Sequence, residues 1–216
     1  MTARSNFRRT RERVEGLLEL NRQLSIRGRP LRAHSDVLRA AIVLSLGALD
    51  AAIADAIVEA VPEASRRGKL GQQVADWLVK DGKQILPILA HSNPHQEIAE
   101  FVRDKLAKTT FQRTAMIENN LHAILGVKDP WPSAAKRLGP PRVKADDLKK
   151  FLDEVSERRN QIVHKGDIKT GDRSPETITR DWVEQRLEYV WATGEAICDQ
   201  ISDAYGPKRG RPKKSG

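Results

Sequence analysis

The chain holds one cysteine, Cys198, in 216 residues. A lone thiol excludes a disulfide framework and any zinc site built from several cysteines, and it suits a reducing compartment. No apolar run reads as a membrane span, because the most apolar stretch, 37–61, is interrupted by Arg39, Asp50, Asp55 and Glu59. The arginine-rich start, MTARSNFRRTRER, has no apolar run behind it and does not read as a secretory signal. A P-loop, a dinucleotide fingerprint and a nucleophile elbow are all missing, which removes the enzyme classes built on them. There is no alternating run of β-branched residues and no internal repeat, so neither a sheet nor a solenoid is expected.

What the chain has is positive charge, +9 in all, unevenly placed. Residues 1–32 contribute +6 and residues 206–216 contribute +5 without a single acid, while 33–205 sum to −2. A slightly acidic body with two basic ends argues for polyanion contact through particular surfaces rather than diffuse stickiness. The length suits one domain with its own hydrophobic core, 1–205, in which 1–32 is a basic helix and loop and 206–216 a separate tail.

Helical periodicity recurs along the whole body. Phe7, Val14, Leu17, Leu18 and Leu24 form one stripe of a first helix. Ser35 is positioned to cap a second helix over 36–60 that is apolar on most of its circumference and is therefore expected at the centre, with Pro62 ending it. Further helices are expected over 70–80, 95–108, 113–125 and 146–164, and Thr179 can cap a last one that stops at Gly206. The proline-punctuated stretches 81–94 and 126–145 read as connections with a turn of helix each. These signals predict an all-α bundle of about six to seven helices.

One segment could carry chemistry: Glu157-Arg158-Arg159-Asn160-Gln161-Ile162-Val163-His164-Lys165-Gly166-Asp167. Asn160 and His164, four apart, share a helical face, and Arg159 is long enough to reach the same cleft. At the helix end the imidazole lies where the helix dipole, Lys165 and Asp167 all act on it. An imidazole beside a permanently charged guanidinium is a usable set for phosphoryl chemistry without metal. The same residue types at a helix end also serve simply to meet the last carbonyls, and spacing alone gives that plainer reading precedence.

The string Arg159-Asn160-Gln-Ile-Val-His164 resembles the R-x4–6-H signature of the HEPN superfamily. The stretch 35–50, SDVLRAAIVLSLGALD, is similar to the long buried helix of its RiboL-PSP-HEPN branch, and 178–183, ITRDWV, fits the start of that family's last helix. The resemblance implies a HEPN-like helical bundle acting as a metal-independent endoribonuclease, with no cofactor, in which two protomers bring both motifs to one cleft. Carried onto this chain, His164 would move a proton at the ribose 2′-OH or the leaving oxygen, Arg159 would stabilise charge on phosphorus, and Asn160 would orient the scissile phosphate. Arg39, Asp50, Arg158, Lys165 and Asp167 are candidates to line the cleft, although Arg39 and Asp50 would equally serve as structural ion pairs of a buried helix. Such proteins act as toxins beside an antitoxin, or in phage defence, and others only bind nucleic acid or dimerise as adaptors. A cytoplasmic location follows from this reading.

The tail Lys208-Arg209-Gly210-Arg211-Pro212-Lys213-Lys214 resembles an AT-hook. Gly210 would let the backbone sit deep in a narrow minor groove, Pro212 would steer the chain away, and Arg209 and Arg211 would spread along the floor of an A·T tract. Lys208, Lys213 and Lys214 would neutralise phosphates, which would associate the protein with the nucleoid. A merely solubilising basic tail is the alternative. His91 and His95 are four apart but lack a third ligand, so no metal site is expected. Trp131, between two prolines, is the one aromatic placed to stack on RNA, against the plainer role of a packing anchor.

Overall fold

The computed structural model describes residues 2–26, 32–127, 129–139, 143–169, 171 and 174–206. The expectations for the AT-hook-like tail therefore lie outside the described residues. Among those described, nine helices account for the architecture: α1 (Ala3–Ile26), α2 (Arg32–Arg66), α3 (Gln72–Lys80), α4 (Ile85–Ala90), α5 (Pro94–Leu106), α6 (Thr114–Leu125), α7 (Trp131–Arg137), α8 (Ala145–Lys165) and α9 (Arg180–Tyr205). The all-α expectation holds, and two of the nine are the stretches read as connections. Pro132 lies in the first turn of α7 and Pro87 in the first turn of α4, where a missing N–H removes no helical bond. Burial of Trp131 and Ala134, and of Ile88, then makes a short helix of each.

The core is built around α2. Leu46, Leu49, Ile53 and Ile57 have no exposed surface, each worth roughly 1.5–3 kcal/mol relative to leaving it in water. By length and composition this helix could cross a membrane, and 56% of its most apolar window is buried inside the fold. It starts at Arg32, so Ser35 sits inside it rather than capping it. It also runs through Pro62, which was expected to end it, and its last turn is tied down by tertiary bonds. Ser65 Oγ lies 2.8 Å from His95 Nδ1 on α5, and Arg67 donates to the Ala204 carbonyl of α9 at 3.0 Å.

Helix directions follow from such ties. The Ala3 amide donates to Glu59 at 2.7 Å and Asn21 donates to the His34 carbonyl at 2.9 Å, so α1 runs antiparallel to α2. α9 runs parallel to α2 and begins at Thr179, whose hydroxyl accepts from the Trp182 amide at 3.4 Å, as expected of its cap. α1 and α9 meet where Phe7 packs edge-on against Trp191, ring centroids 5.1 Å apart, with its ring over Gly194.

That contact gives a first prediction. In most helices Gly→Ala gains about 1 kcal/mol, but at Gly194 the added Cβ would overlap the Phe7 ring, which Trp191 holds from the side. Overpacking of this kind costs about 1–3 kcal/mol, so Gly194→Ala is expected to destabilise by about 1–2 kcal/mol in urea denaturation. A stabilised variant would mean that α1 moves away freely.

Candidate active site

The site is assembled where α8 ends. Gly166 takes the left-handed conformation at φ 64° and closes the helix by donating to the Gln161 carbonyl. Asp167 follows at φ 56°, the one described non-glycine residue with positive φ, and its amide reaches the same carbonyl at 3.1 Å. Two successive left-handed residues fold the chain back sharply. The return is held by Glu176 N–H on the Asp167 carbonyl at 2.7 Å and by Lys169 N–H on the Ser174 carbonyl at 2.8 Å.

A left-handed aspartate is costly unless its side chain is engaged. The Asp167 carboxylate is fully buried between two guanidiniums: Arg39 Nε of α2 at 2.6 Å and Arg158 Nη2 of α8 at 2.8 Å, both on Oδ2. Arg39 also donates to the Glu176 carbonyl at 2.8 Å and meets Asp36 at 3.2 Å, while Arg158 also donates to the Thr177 carbonyl at 3.2 Å. Three of the expected cleft residues, Arg39, Arg158 and Asp167, are thus brought together as a buried ion cluster. It fastens the end of α8 and its following loop to α2.

Beside this cluster lie the residues of the motif. His164 stands exposed in the last turn of α8, with no hydrogen bond or ion pair among the described residues, and Lys165 is exposed next to it. Asn160 is half-buried one turn earlier on the same face, and its Oδ1 accepts from Arg159 Nη1 at 3.2 Å. Arg159 leans toward the interior, with Nε buried and without a partner among the described residues. Asp50 stands apart, eleven residues further along α2, or about 16 Å at the helical rise. There it accepts from the Phe111 amide at 2.6 Å and from Gln112 at 3.3 Å, holding the approach to α6.

The sequence of residues 6–203 matches the family model described as RiboL-PSP-HEPN. The chain belongs to that family. No match to it is found among curated proteins or among solved structures. For this HEPN chain the matched region covers every residue of the site and leaves only the ends outside.

Other candidates sort themselves by position. Trp131 is wholly buried, and its indole N–H donates to Glu118, so it is a packing anchor. His95 is turned to Ser65 while His91 lies 3.4 Å from Glu97, and the two do not converge. A cavity of about 380 Å³ opens at the start of α1, lined by Arg4, Glu59, Cys198 and Tyr205. It is remote from the motif, since Glu59 is twenty residues from Arg39 on α2, about 30 Å along the helix. Burial pushes the Cys198 thiol up to about 12, so it stays protonated and is no nucleophile. The basic face of α1 is partly neutralised: Arg4 pairs with Asp199, Arg11 with Glu15 and Arg22 with Glu19. Arg8, Arg9 and Arg13 are exposed with no acidic partner among the described residues.

Two contributions were missed in the sequence, the carbonyls of Glu176 and Thr177 that receive the two arginines. Main-chain acceptors leave no side-chain signal. The partner that fixes Arg39 to the turn, Asp167, lies 128 residues away in the chain.

Proposed function

We propose that this HEPN chain is a metal-independent endoribonuclease that cuts single-stranded RNA by transesterification. The observation that carries the reading is the exposed His164 imidazole one turn beyond Asn160, at a helix end fixed by a buried ion cluster. The ribose 2′-oxygen attacks the adjoining phosphorus and loses its proton. The bond from phosphorus to the 5′-oxygen breaks, and that oxygen gains a proton, leaving a 2′,3′-cyclic phosphate. His164 performs one of these proton transfers. Arg159 stabilises the charge on the pentacoordinate phosphorus and Asn160 orients the phosphate.

One imidazole per chain at this turn supplies one of the two transfers, which favours pairing of two copies around a shared cleft. An open face of α2 supports that pairing. Ala40, Leu44, Gly47 and Ala51 recur at helical spacing and are exposed on the central helix of the fold, next to the turn that carries Arg39. In this reading the protein is a cytoplasmic toxin or phage-defence effector, restrained by a partner protein. The decisive test is cleavage of RNA in the presence of EDTA, with cyclic phosphate at the new 3′ end. RNA binding without any cleavage would favour the adaptor reading instead.

The tail serves in this reading to hold the enzyme on A·T-rich DNA. Removing residues 207–216 is expected to weaken binding to such a duplex and to flatten its salt dependence. The slope of log affinity against log salt should fall by up to about 4.5, about 0.9 for each of five cations. An unchanged slope in a fluorescence-anisotropy titration would remove the tail from DNA contact.

A further inference from the structure

The flank of α8 facing the start of α9 carries a pocket that the chemistry above does not use. It holds about 350 Å³ and is lined by Arg158, Thr177, Ile178, Thr179 and Trp182. One wall is the half-buried indole of Trp182, and the threonines and Ile178 form an exposed to half-buried rim. Arg158 supplies the polar side. Both of its described bonds run through Nη2, and its Nη1 makes none among the described residues. An aromatic wall, a guanidinium with spare donor capacity and a mostly apolar lining suit a planar ring that carries acceptor atoms on its edge.

The position narrows the ligand. Arg158 and His164 are six residues apart on one helix, about 9 Å along its axis and about 120° apart round it, and the same Arg158 binds the carboxylate that fixes the end of that helix. A strand whose phosphate lies at His164 therefore has to pass round the helix end, and it reaches the pocket with a nucleotide further along the strand rather than with the one being cut. Unpaired bases are read in this manner, by stacking on an aromatic side chain and bonding at the base edge. Trp182 itself is anchored from below, where Arg186 lies 5.6 Å from its ring and 4.4 Å from that of Phe151.

We infer that the pocket of Arg158, Thr177, Ile178, Thr179 and Trp182 is a nucleobase subsite that takes one unpaired base of the RNA flanking the scissile phosphate. It rests on the endoribonuclease reading for the position of the phosphate, but base binding is measured separately from cleavage. The experiment uses the full chain carrying His164→Ala and short single-stranded RNA oligomers, intact or with one abasic nucleotide at successive positions.

One abasic position is expected to weaken binding about tenfold, the usual scale of a stacked base. Trp182→Leu should cause the same loss and abolish the abasic effect, while Trp182→Phe, which keeps an aromatic face, should retain most of the affinity. Thr177→Trp, made at an exposed position, fills the slot without disturbing the core and should lose the same tenfold even if Trp182→Leu fails to fold. Equal affinity of the parent and Thr177→Trp for every oligomer overturns the inference. So does a Thr177→Trp chain whose RNA affinity is intact while its oligomeric state changes in sedimentation, because the slot would then hold protein. A wild-type chain that never cleaves RNA, yet whose His164→Ala form shows the abasic and Thr177→Trp losses, would refute the nuclease reading and leave the subsite standing.

Discussion

His164→Ala is expected to reduce RNA cleavage by about 10²–10⁴-fold, the range supplied by a positioned general acid or base, while the unfolding midpoint stays where it was. The two halves of this expectation come from the same observation. The imidazole is exposed and has no hydrogen bond or ion pair among the described residues, so its loss leaves no buried group unsatisfied. It also stands in the last turn of α8, where Ala is well tolerated. A loss of activity without a loss of stability separates a chemical role from a capping role. If His164 merely met the last carbonyls of α8, its removal would change stability slightly and cleavage little. Equal rates for parent and variant at every pH would end the assignment. Arg159→Ala provides the comparison: its buried Nε has no partner among the described residues, so that variant should lose cleavage with little loss of stability.

The bundle was legible because helices announce themselves locally. The stripe of α1, the apolar circumference of α2 and the cap at Thr179 are read within one or two turns, and each reappears in the fold. Where local reading failed, longer contacts had overridden it. α2 passes Pro62 because Ser65 and Arg67 are bonded to other helices, and α7 exists because Trp131 has a buried place to go. The site divided in the same way. Arg159, Asn160 and His164 lie within six residues, so spacing alone gathers them on one helix end. Arg39 and Asp50 are on one helix too, yet one serves its first turns and the other its middle, and nothing local separates them. Only the fold brings Arg39 to Asp167 and leaves Asp50 with the Phe111 amide. The Arg158 pocket depends on the return of the chain through Thr177, which no motif records.

Asp167→Asn is expected to destabilise the protein by roughly 3–5 kcal/mol, the usual consequence of removing one partner from a buried ion pair. The side chain of Asp167 is 0% exposed, and those of Arg39 and Arg158 are 12% and 16% exposed. Without the carboxylate, two guanidiniums face each other with little water to separate them. Asparagine isolates this term, since it is nearly the same shape and tolerates positive φ, so the backbone at 56° is not at fault. Asp167→Gly frees the backbone entirely and should still be unstable, because the charge imbalance is the same. Replacing both arginines by methionine in the Asn variant removes the uncompensated charges and should recover much of the loss, since a buried ion cluster is often no more stable than apolar packing of similar volume. The coupling between the sites, read from a mutant cycle in urea, should then be large and little altered by salt, as buried charges are poorly screened. Cleavage should fall in every one of these variants, the methionine form included, because its restored stability does not restore the bonds that Arg39 and Arg158 make to the Glu176 and Thr177 carbonyls. An Asn variant within about 1 kcal/mol of the parent would mean that the carboxylate is solvated, and that something else holds the turn carrying His164.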